Sequence, residues 1–258
     1  MQQRPELTRD AGRAWLRSRQ GRRLLAAERR ELRDALDSIF GELLLQIGDW
    51  GGADFFRLAR TRRAALLAEW PGPEVAAVSR LDELAVASDS VDAVLLVHAL
   101  DAAEDPRALL REASRVLRPD GHLVILGFNP FGPWGLRHFL SRRRYPPGAR
   151  HFISERRLGD WLSLLNFGVQ RRDYYHYHLP LQVSAGRVAE EPAERRMNRL
   201  ARRLRRAGRR HLRRPLFAAC YLLVARKEIY PLTLARPGWR RRPRLVGGLV
   251  NPTSRNAA

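Results

Sequence analysis

A glycine-rich turn is the first feature of the sequence that has the composition of a binding site. The apolar run Leu43–Ile47 leads directly into the turn, which consists of Gly48, Asp49, Trp50, Gly51 and Gly52. Glycine lets the backbone approach a ligand closely, and the helix predicted over 54–60 offers unpaired N–H groups at its start. A turn of this kind either holds a nucleotide-like ligand or simply connects a strand to a helix.

His98 and Asp101 form a second candidate site. His98 follows the apolar run Val91–Val97, which predicts a buried strand, and Asp101 lies three residues further on. Parallel sheets bind ligands at the carboxyl ends of their strands. Because a histidine with an ordinary pKa of about 6.5 can accept a proton near neutral pH, His98 is a candidate general base. The alternative is that His98 only caps the strand or hydrogen-bonds a loop.

The elements that must position these residues alternate between strands and helices. Asp105 and Pro106 begin a helix predicted over 107–117, a turn follows at 119–121, and another buried strand is predicted over 123–126. A strand, a helix and a strand in such close succession predict a right-handed crossover between parallel strands. The predicted fold class is therefore α/β.

The rest of the pattern divides the chain into three parts. The expected organisation is an N-terminal helical segment over 1–40, an α/β domain over 41–230 with a basic helical insertion over 185–214, and a basic C-terminal tail over 231–258. The apolar spacing predicts one or two amphipathic helices over 11–40, and Ser154 is a candidate N-cap for a helix over 154–165. Further strands are predicted over 64–68, 75–78, 168–178 and 217–226.

Three segments carry a specific resemblance to a known family. They read Ser90-Val91-Asp92-Ala93-Val94, then Asp105-Pro106-Arg107-Ala108-Leu109-Leu110-Arg111-Glu112, then Arg115-Val116-Leu117-Arg118-Pro119-Asp120-Gly121-His122-Leu123-Val124-Ile125-Leu126. With the glycine turn upstream, they resemble the class I S-adenosylmethionine-dependent methyltransferases, most closely a bacterial subgroup of the methyltransferase type 11 branch with a divergent glycine motif. The resemblance implies a Rossmann-like doubly wound seven-stranded sheet with helices on both faces and an antiparallel last strand.

The resemblance also implies S-adenosylmethionine as the cofactor, and it assigns residues to that role. The cofactor-binding residues it indicates are Gln46, Gly48, Asp49, Trp50, Gly51, Gly52, Glu69, Asp82, Leu84 and Val97. His98 and Asp101 would then lie beside the transferred methyl group as the catalytic residues. No metal site is expected.

The glycine motif departs from the family pattern at two positions. The family has an acidic residue before a Gly-x-Gly-x-Gly turn, whereas here Gln46 holds the acidic position and Trp50 that of the central glycine. Gln46 can still accept a hydrogen bond from the ligand ammonium, but without a charge. The Trp50 indole either flanks the cofactor or blocks its place. Arg80 stands where the family has an adenine-binding aspartate, which leaves Asp82 and Leu84 as substitutes.

The loop after the strand predicted over 123–126 supplies the candidate substrate contacts. It reads Gly127-Phe128-Asn129-Pro130-Phe131-Gly132-Pro133-Trp134. Carbonyl acceptors and aromatic rings at the end of a strand suit a methyl acceptor, so the predicted contacts are Asn129, Phe131 and Trp134. The alternative is a rigid proline- and glycine-rich loop packed by its own aromatic side chains.

The positive charge is concentrated towards the carboxyl end of the chain. The formal net charge is +21, and residues 181–258 hold 20 basic but only 4 acidic residues. The helix predicted from Arg195 to Arg214 contains eleven arginines around an apolar seam. Its basic face is either solvated or binds the phosphates of RNA or of an anionic membrane surface.

Composition excludes several classes of protein. A hydrophobic fraction of 45% excludes a wholly disordered chain, and the single Cys220 excludes an intramolecular disulfide and a Cys-based zinc site. Cys220 lies among apolar residues and is expected to be a buried thiol. No secretory segment or membrane-spanning run is visible, so a cytoplasmic location is expected.

The expected function is methyl transfer from S-adenosylmethionine to a small or medium-sized acceptor molecule. Two alternatives stay open. One is an RNA-directed methyltransferase or RNA-binding protein that uses the basic helix. The other is a degenerate protein of the same fold that binds no cofactor.

Overall fold

The computed structural model describes residues 3–50, 53–141, 144–178, 180 and 217–228, and within them it contains seven strands and six α-helices. The strands are β1 (Leu43–Ile47), β2 (Arg63–Ala68), β3 (Ala77–Val78), β4 (Val91–Val97), β5 (Leu117–Phe128), β6 (Phe167–Tyr175) and β7 (Cys220–Lys227). The helices are α1 (Gln3–Leu16), α2 (Arg19–Leu36), α3 (Ala99–Ala102), α4 (Pro106–Val116), α5 (Pro133–Leu140) and α6 (Glu155–Leu164), and a 3₁₀ helix covers Ala53–Leu58.

The strands form a single sheet in the order β3-β2-β1-β4-β5-β7-β6. All pairs from β3 to β5 are parallel, whereas β7 is antiparallel to both of its neighbours, β5 and β6. The predicted doubly wound sheet with an antiparallel last strand is therefore confirmed. The strand order reverses between β1 and β4, and their carboxyl ends define the crevice in which sheets of this type bind ligands.

The two faces of the sheet contribute to two separate core clusters. Leu45 and Leu96 pack in the cluster that contains the buried residues of α4 and α6. Leu44 and Val97 pack in the other cluster, with Leu24 and other buried residues of α1 and α2. Because side chains alternate along a strand, Gln46 faces the same side as Leu44, which is the side covered by the N-terminal helices.

Polar side chains define where several of these elements begin. Ser18 accepts a hydrogen bond from the Gly21 N–H at the start of α2, and Ser154 is the N-cap of α6, as predicted. Asp92 interrupts the apolar run of β4, and its Oδ2 atom accepts the backbone N–H groups of Glu42 and Leu43 at 2.8 and 2.9 Å. Asp92 thus ties β4 to the start of β1.

The structure differs from the sequence-based expectation in several elements: the turn predicted over 119–121 lies within β5, and the helix predicted over 54–60 is the 3₁₀ helix Ala53–Leu58. A third difference is an additional helix. Residues 133–140 form helix α5, where a proline- and glycine-rich loop was considered. The reason is local: Gly132 is the N-cap, and Pro133 takes the first helical position. A residue at that position has no hydrogen-bond partner for its N–H within the helix, so the missing N–H of proline costs nothing.

Several other expectations concern composition or segments at the carboxyl end. Cys220 is a free and fully buried cysteine, as expected. The helix predicted over 195–214, the insertion over 185–214 and the tail over 231–258 lie outside the described residues. Among the helices that the structure describes, none has both the length and the apolar character needed to cross a membrane.

Candidate active site

The turn after β1 requires glycine at its first position. Gly48 has a φ of +89°, and its N–H donates to the Leu67 carbonyl at the end of β2 over 2.8 Å. A Cβ atom at this position would lie 3.2 Å from the Cβ of Ala99, the first residue after His98. Gly48 therefore holds the ends of β1, β2 and β4 in close contact. Gly51 and Gly52 lie outside the described residues.

Gln46 presents an unpaired hydrogen-bond acceptor beside this turn. Its side chain is fully buried, and its Nε2 atom donates to the Gly48 carbonyl at 3.2 Å. Its Oε1 atom is also buried and has no hydrogen-bond partner within the described residues. Leaving such an acceptor without a donor costs about 1–3 kcal/mol, so the position suits a ligand that donates a hydrogen bond.

The predicted cofactor carboxylates share one acidic environment. Glu69 follows β2 directly, and its pKa is raised by burial and then by the negative charge of Glu104, with smaller contributions from Asp82 and Asp49. Asp49 also pairs with Arg13 of α1 at 2.6 Å, and Asp82 pairs with the neighbouring Arg80 at 2.7 Å. In the part of the chain that the structure describes, no group of three or more His, Cys, Asp or Glu side chains is placed to hold a metal ion.

The two apolar residues of the predicted cofactor set are buried. Leu84 packs in the same cluster as the residues of α4, and its N–H donates to Glu112 of that helix at 2.9 Å. Val97 is the last residue of β4 and pairs with Leu126 of β5. The two residues therefore belong to the core clusters on opposite faces of the sheet.

His98 lies at the end of β4 with both ring nitrogens hydrogen-bonded. Its Nδ1 atom is 2.8 Å from Asp101 Oδ2, and its Nε2 atom is 2.9 Å from Glu28 Oε1 of α2. Asp101 Oδ2 also accepts the N–H of Phe128, the last residue of β5, at 3.0 Å. All three ionisable side chains are almost completely buried. This cluster links the ends of two strands to the N-terminal helices.

The electrostatic balance of the cluster favours a protonated His98. Burial by itself lowers the pKa of His98, but the hydrogen bonds with Asp101 and Glu28 outweigh burial and raise the pKa to about 9. Burial raises the pKa of Asp101, and His98 opposes that rise. In this arrangement His98 has no free ring nitrogen, so it can act as the predicted general base only if Glu28 moves away.

Glu28 is the residue of this cluster that the sequence analysis did not identify. A signal for it exists in α2, because Glu28 lies four residues after Leu24 and four before Leu32, both fully buried. Residues at that spacing share one face of a helix. A carboxylate on an otherwise apolar face indicates a buried polar partner, but the spacing does not reveal which partner it is.

Trp50 lies against His98 rather than projecting away from the site. Its ring centroid is 5.0 Å from that of His98 and 5.7 Å from that of Phe128. Phe128 in turn stacks on His98 at 3.9 Å. The indole therefore occupies space beside the end of β4, where the central glycine of the family motif would leave room.

The three predicted substrate residues have different environments. Asn129 is buried, and its Nδ2 atom donates to the Ala218 carbonyl while its Oδ1 atom accepts the Phe131 N–H, so its hydrogen bonds connect β5 to the approach to β7. Trp134 is also buried, and its Nε1 atom donates to the His178 carbonyl at 2.8 Å. Phe131 is 64% exposed. Of the three, only Phe131 presents its side chain to an incoming molecule in this state.

A cavity of about 350 Å³ lies beside Phe152, in the segment before α6. Phe152, one of its lining residues, stacks on Phe128 at 5.1 Å. The lining residues come from α4, α5, α6 and the segment before α6, and they are Asp105, Pro106, Arg107, His138, Phe139, Arg150, His151, Phe152, Ile153, Arg157 and Trp161. None of the described residues that line it belongs to the predicted cofactor or substrate set.

Sequence comparisons give a family match over part of the chain and two bacterial relatives. Residues 57–125 match the methyltransferase domain family, Methyltransf_11. The chain is 38% identical over 152 residues to the uncharacterized protein YafS of Escherichia coli strain K12, covering 58% of this chain and 54% of that protein. It is 37% identical over 143 residues to the uncharacterized protein Rv2003c of Mycobacterium tuberculosis strain H37Rv, covering 52% and 49%. The chain thus spans about half the length of these curated relatives.

Solved structures with the same sheet are also similar to this chain. A SAM-dependent methyltransferase from Archaeoglobus fulgidus superposes with a TM-score of 0.54 at 18% identity, covering 77% of this chain and 92% of that one. A chain from the complex of the Haloferax volcanii Trm112 methyltransferase activator with a methyltransferase gives a TM-score of 0.51 at 16% identity, covering 78% and 88%. At these identities the similarity establishes the fold, and with the family match it confirms the resemblance drawn from the sequence.

Proposed function

Because residues 57–125 match the methyltransferase domain family and the sheet has the fold of the class I S-adenosylmethionine-dependent methyltransferases, we propose that this protein transfers a methyl group from S-adenosylmethionine to a small or medium-sized acceptor in the cytoplasm. The observation that supports this most directly is the unpaired Gln46 Oε1 atom beside the Gly48 turn. This atom is a buried hydrogen-bond acceptor without a donor. It lies near the carboxyl end of β1, at the edge of the sheet where proteins of this fold bind ligands.

The residues at the carboxyl ends of β1 and β2 fit the cofactor. Gln46 Oε1 would accept a hydrogen bond from the ammonium group, and the Glu69 carboxylate, which directly follows β2, would accept hydrogen bonds from the ribose hydroxyls. The tight turn at Gly48 has no side chain at its first position, so a ligand can approach the backbone closely there. When bound, S-adenosylmethionine supplies a methyl group on a positively charged sulfur.

The contribution proposed for His98 and Asp101 is to order the ends of β4 and β5. Methyl transfer is a displacement at carbon, so alignment of the reacting groups provides most of the rate. His98 holds Asp101 through Nδ1, and Asp101 holds the Phe128 N–H. This chain of hydrogen bonds keeps the strand ends rigid. Proton removal by His98 is a further proposal, and it requires that Glu28 release Nε2.

The cofactor assignment can be tested by thermal and chemical unfolding with S-adenosylmethionine and S-adenosylhomocysteine. A ligand at 100 times its Kd stabilises the folded state by about 2.7 kcal/mol. Gln46→Leu removes the unpaired acceptor, and loss of a hydrogen bond to a charged group weakens binding by about tenfold or more. The control is Gln170→Leu, which makes the same chemical change at an exposed position of β6.

Two results would contradict the proposal. One is the absence of any stabilisation of the wild-type protein at millimolar ligand, which would favour the degenerate, cofactor-free alternative. The other is equal stabilisation of wild type, Gln46→Leu and Gln170→Leu, which would remove Gln46 from the binding site. The RNA-directed alternative depends on the helix predicted over 195–214, outside the described residues, and it stays a prediction.

A further inference from the structure

The cavity beside α4 and α6 contains two arginines that share one aromatic partner. The Arg107 guanidinium lies 4.9 Å from the ring centroid of Trp161, and the Arg157 guanidinium lies 5.3 Å from it. Both arginines and Trp161 line the cavity. Contact with the indole holds the flat guanidinium groups in place while leaving their N–H groups available.

The positive charge of these two arginines is not balanced by neighbouring carboxylates. Neither Arg107 nor Arg157 makes an ion pair with any described residue, whereas Arg150, the third arginine of the cavity, pairs with Glu104 at 2.8 Å. Asp105 is the acidic residue among those that line the cavity, and its Oδ1 atom is engaged by the N–H groups of Arg107 and Ala108. The cavity therefore carries an excess of positive charge.

The local helix geometry adds to that excess. Arg107 and Arg157 lie in the first turns of α4 and α6, where a positive side chain is unfavourable because the N-terminal end of a helix already carries partial positive charge. An anion between the two guanidinium groups would relieve this repulsion. Arg107 and Arg157 are exposed, so an anion can reach them from solvent.

The cavity wall beside the arginines is partly apolar and also contains His138 and His151. Phe139, Phe152 and Ile153 line it, and Phe139 is 65% exposed. Phe152 stacks on Phe128, which stacks on His98. A ligand with its anionic group at the arginines would therefore place an apolar body against Phe139 and Phe152.

We propose that this cavity binds an organic carboxylate with an aromatic or otherwise apolar body. The volume of about 350 Å³ lies within the range of small-molecule sites, which is roughly 300–1,000 Å³. The carboxylate is held by Arg107 and Arg157, and the apolar body contacts Phe139 and Phe152.

The test uses the full chain and measures binding of 1-naphthoate by calorimetry at low ionic strength. Neutral 1-naphthamide has the same ring system and shows the contribution of the charge. We expect 1-naphthoate to bind at least about tenfold more tightly than the amide, as one charged hydrogen bond provides. The double variant Arg107→Ala/Arg157→Ala should lose that preference. Both side chains are exposed, and its thermal unfolding should match that of the wild type.

The control double variant is Arg111→Ala/Arg156→Ala. It removes the same charge from the same two helices, and these exposed arginines do not line the cavity. It should keep 1-naphthoate affinity within about twofold of wild type, because only general electrostatic attraction is lost. Equal binding of the acid and the amide, no binding of either, or equal losses in the two double variants would overturn the inference.

The same proteins separate this inference from the proposed function. Stabilisation by S-adenosylmethionine should be unchanged in Arg107→Ala/Arg157→Ala, since neither arginine belongs to the cofactor set. If S-adenosylmethionine fails to stabilise any variant while 1-naphthoate binds through the two arginines, the anion site stands and the methyltransferase proposal fails. If the cofactor binds but 1-naphthoate does not, only the inference of the anion site is overturned.

Discussion

The buried cluster of Glu28, His98 and Asp101 links the stability of the protein to pH. The pKa of His98 is raised from an ordinary value of 6.5 to about 9 in the folded state. The folded state therefore binds a proton that the unfolded state releases between those values. The resulting stability is fully present below about pH 6.5 and is lost as the pH rises through about 9.

The magnitude follows from the size of the shift. One pKa unit corresponds to about 1.4 kcal/mol, so His98 contributes about 3 kcal/mol of stability at pH 6.5 that is absent well above pH 9. The groups that face His98 are Glu28 from α2, Asp101 from α3 and, more distantly, His176 after β6. Burial lowers the pKa of His176 to about 3, so it is uncharged throughout this range.

Glu28→Gln is the perturbation that isolates this effect. The amide keeps the size of the side chain and can still hydrogen-bond the ring, but it removes one of the two negative charges that hold the proton. The free energy of unfolding of the wild type, measured with urea at pH 6.5, 8 and 9.5, should fall by about 3 kcal/mol or more across the series, because the raised pKa of the buried Cys220 thiol adds to the His98 effect at the highest pH. For Glu28→Gln the fall should be less than half as large, because burial, the strongest influence on the pKa of His98, is then opposed by Asp101 alone. Other titrating groups cancel in the comparison.

Glu31→Gln provides the matched control. Glu31 is an equally buried carboxylate of α2, but both ring nitrogens of His98 are already bonded to Glu28 and Asp101. Its removal changes overall stability and leaves the slope between pH 6.5 and 9.5 as in the wild type. A wild-type stability that is flat over this range, or an NMR titration of His98 with a pKa at or below 6.5, would refute the reasoning.

Two further substitutions test the elements that position the site. Gly48→Ala should lower the free energy of unfolding by about 1–2 kcal/mol in urea, because the residue has a φ of +89° and the new methyl group would meet Ala99 at 3.2 Å. Gly159→Ala, within α6, should be neutral or stabilising by up to about 1 kcal/mol, and equal losses in the two variants would contradict the strain argument. Asp92→Ala should cost about 2 kcal/mol by the same measurement, because the N–H groups of Glu42 and Leu43 lose their acceptor. A loss no greater than that of Asp160→Ala, on the exposed face of α6, would show that water replaces Asp92.

Much of the fold could be predicted because its signals are local. The apolar run Val91–Val97 is a buried strand wherever it packs, since a segment with almost no polar side chain must be covered on both faces. The Ser154 cap and the turn at Gly48 are also decided within a few residues. Helix α5 was missed because Pro and Gly serve loops and helix starts equally well, and only the following residues distinguish them.

The candidate site also contains features with local signals in the sequence and features that depend on contacts between distant segments. The sequence by itself determined that Gln46 lies near the end of a strand and that Gly48 and His98 follow strands, because apolar runs and a glycine turn specify strand ends. Only the tertiary structure decided that Glu28, 70 residues before His98, contacts its Nε2 atom, and that Arg107 and Arg157 meet over one indole. Those contacts depend on how α2 packs on the sheet and how α4 lies beside α6. Local spacing shows which face a helix buries, but it does not show what lies opposite that face.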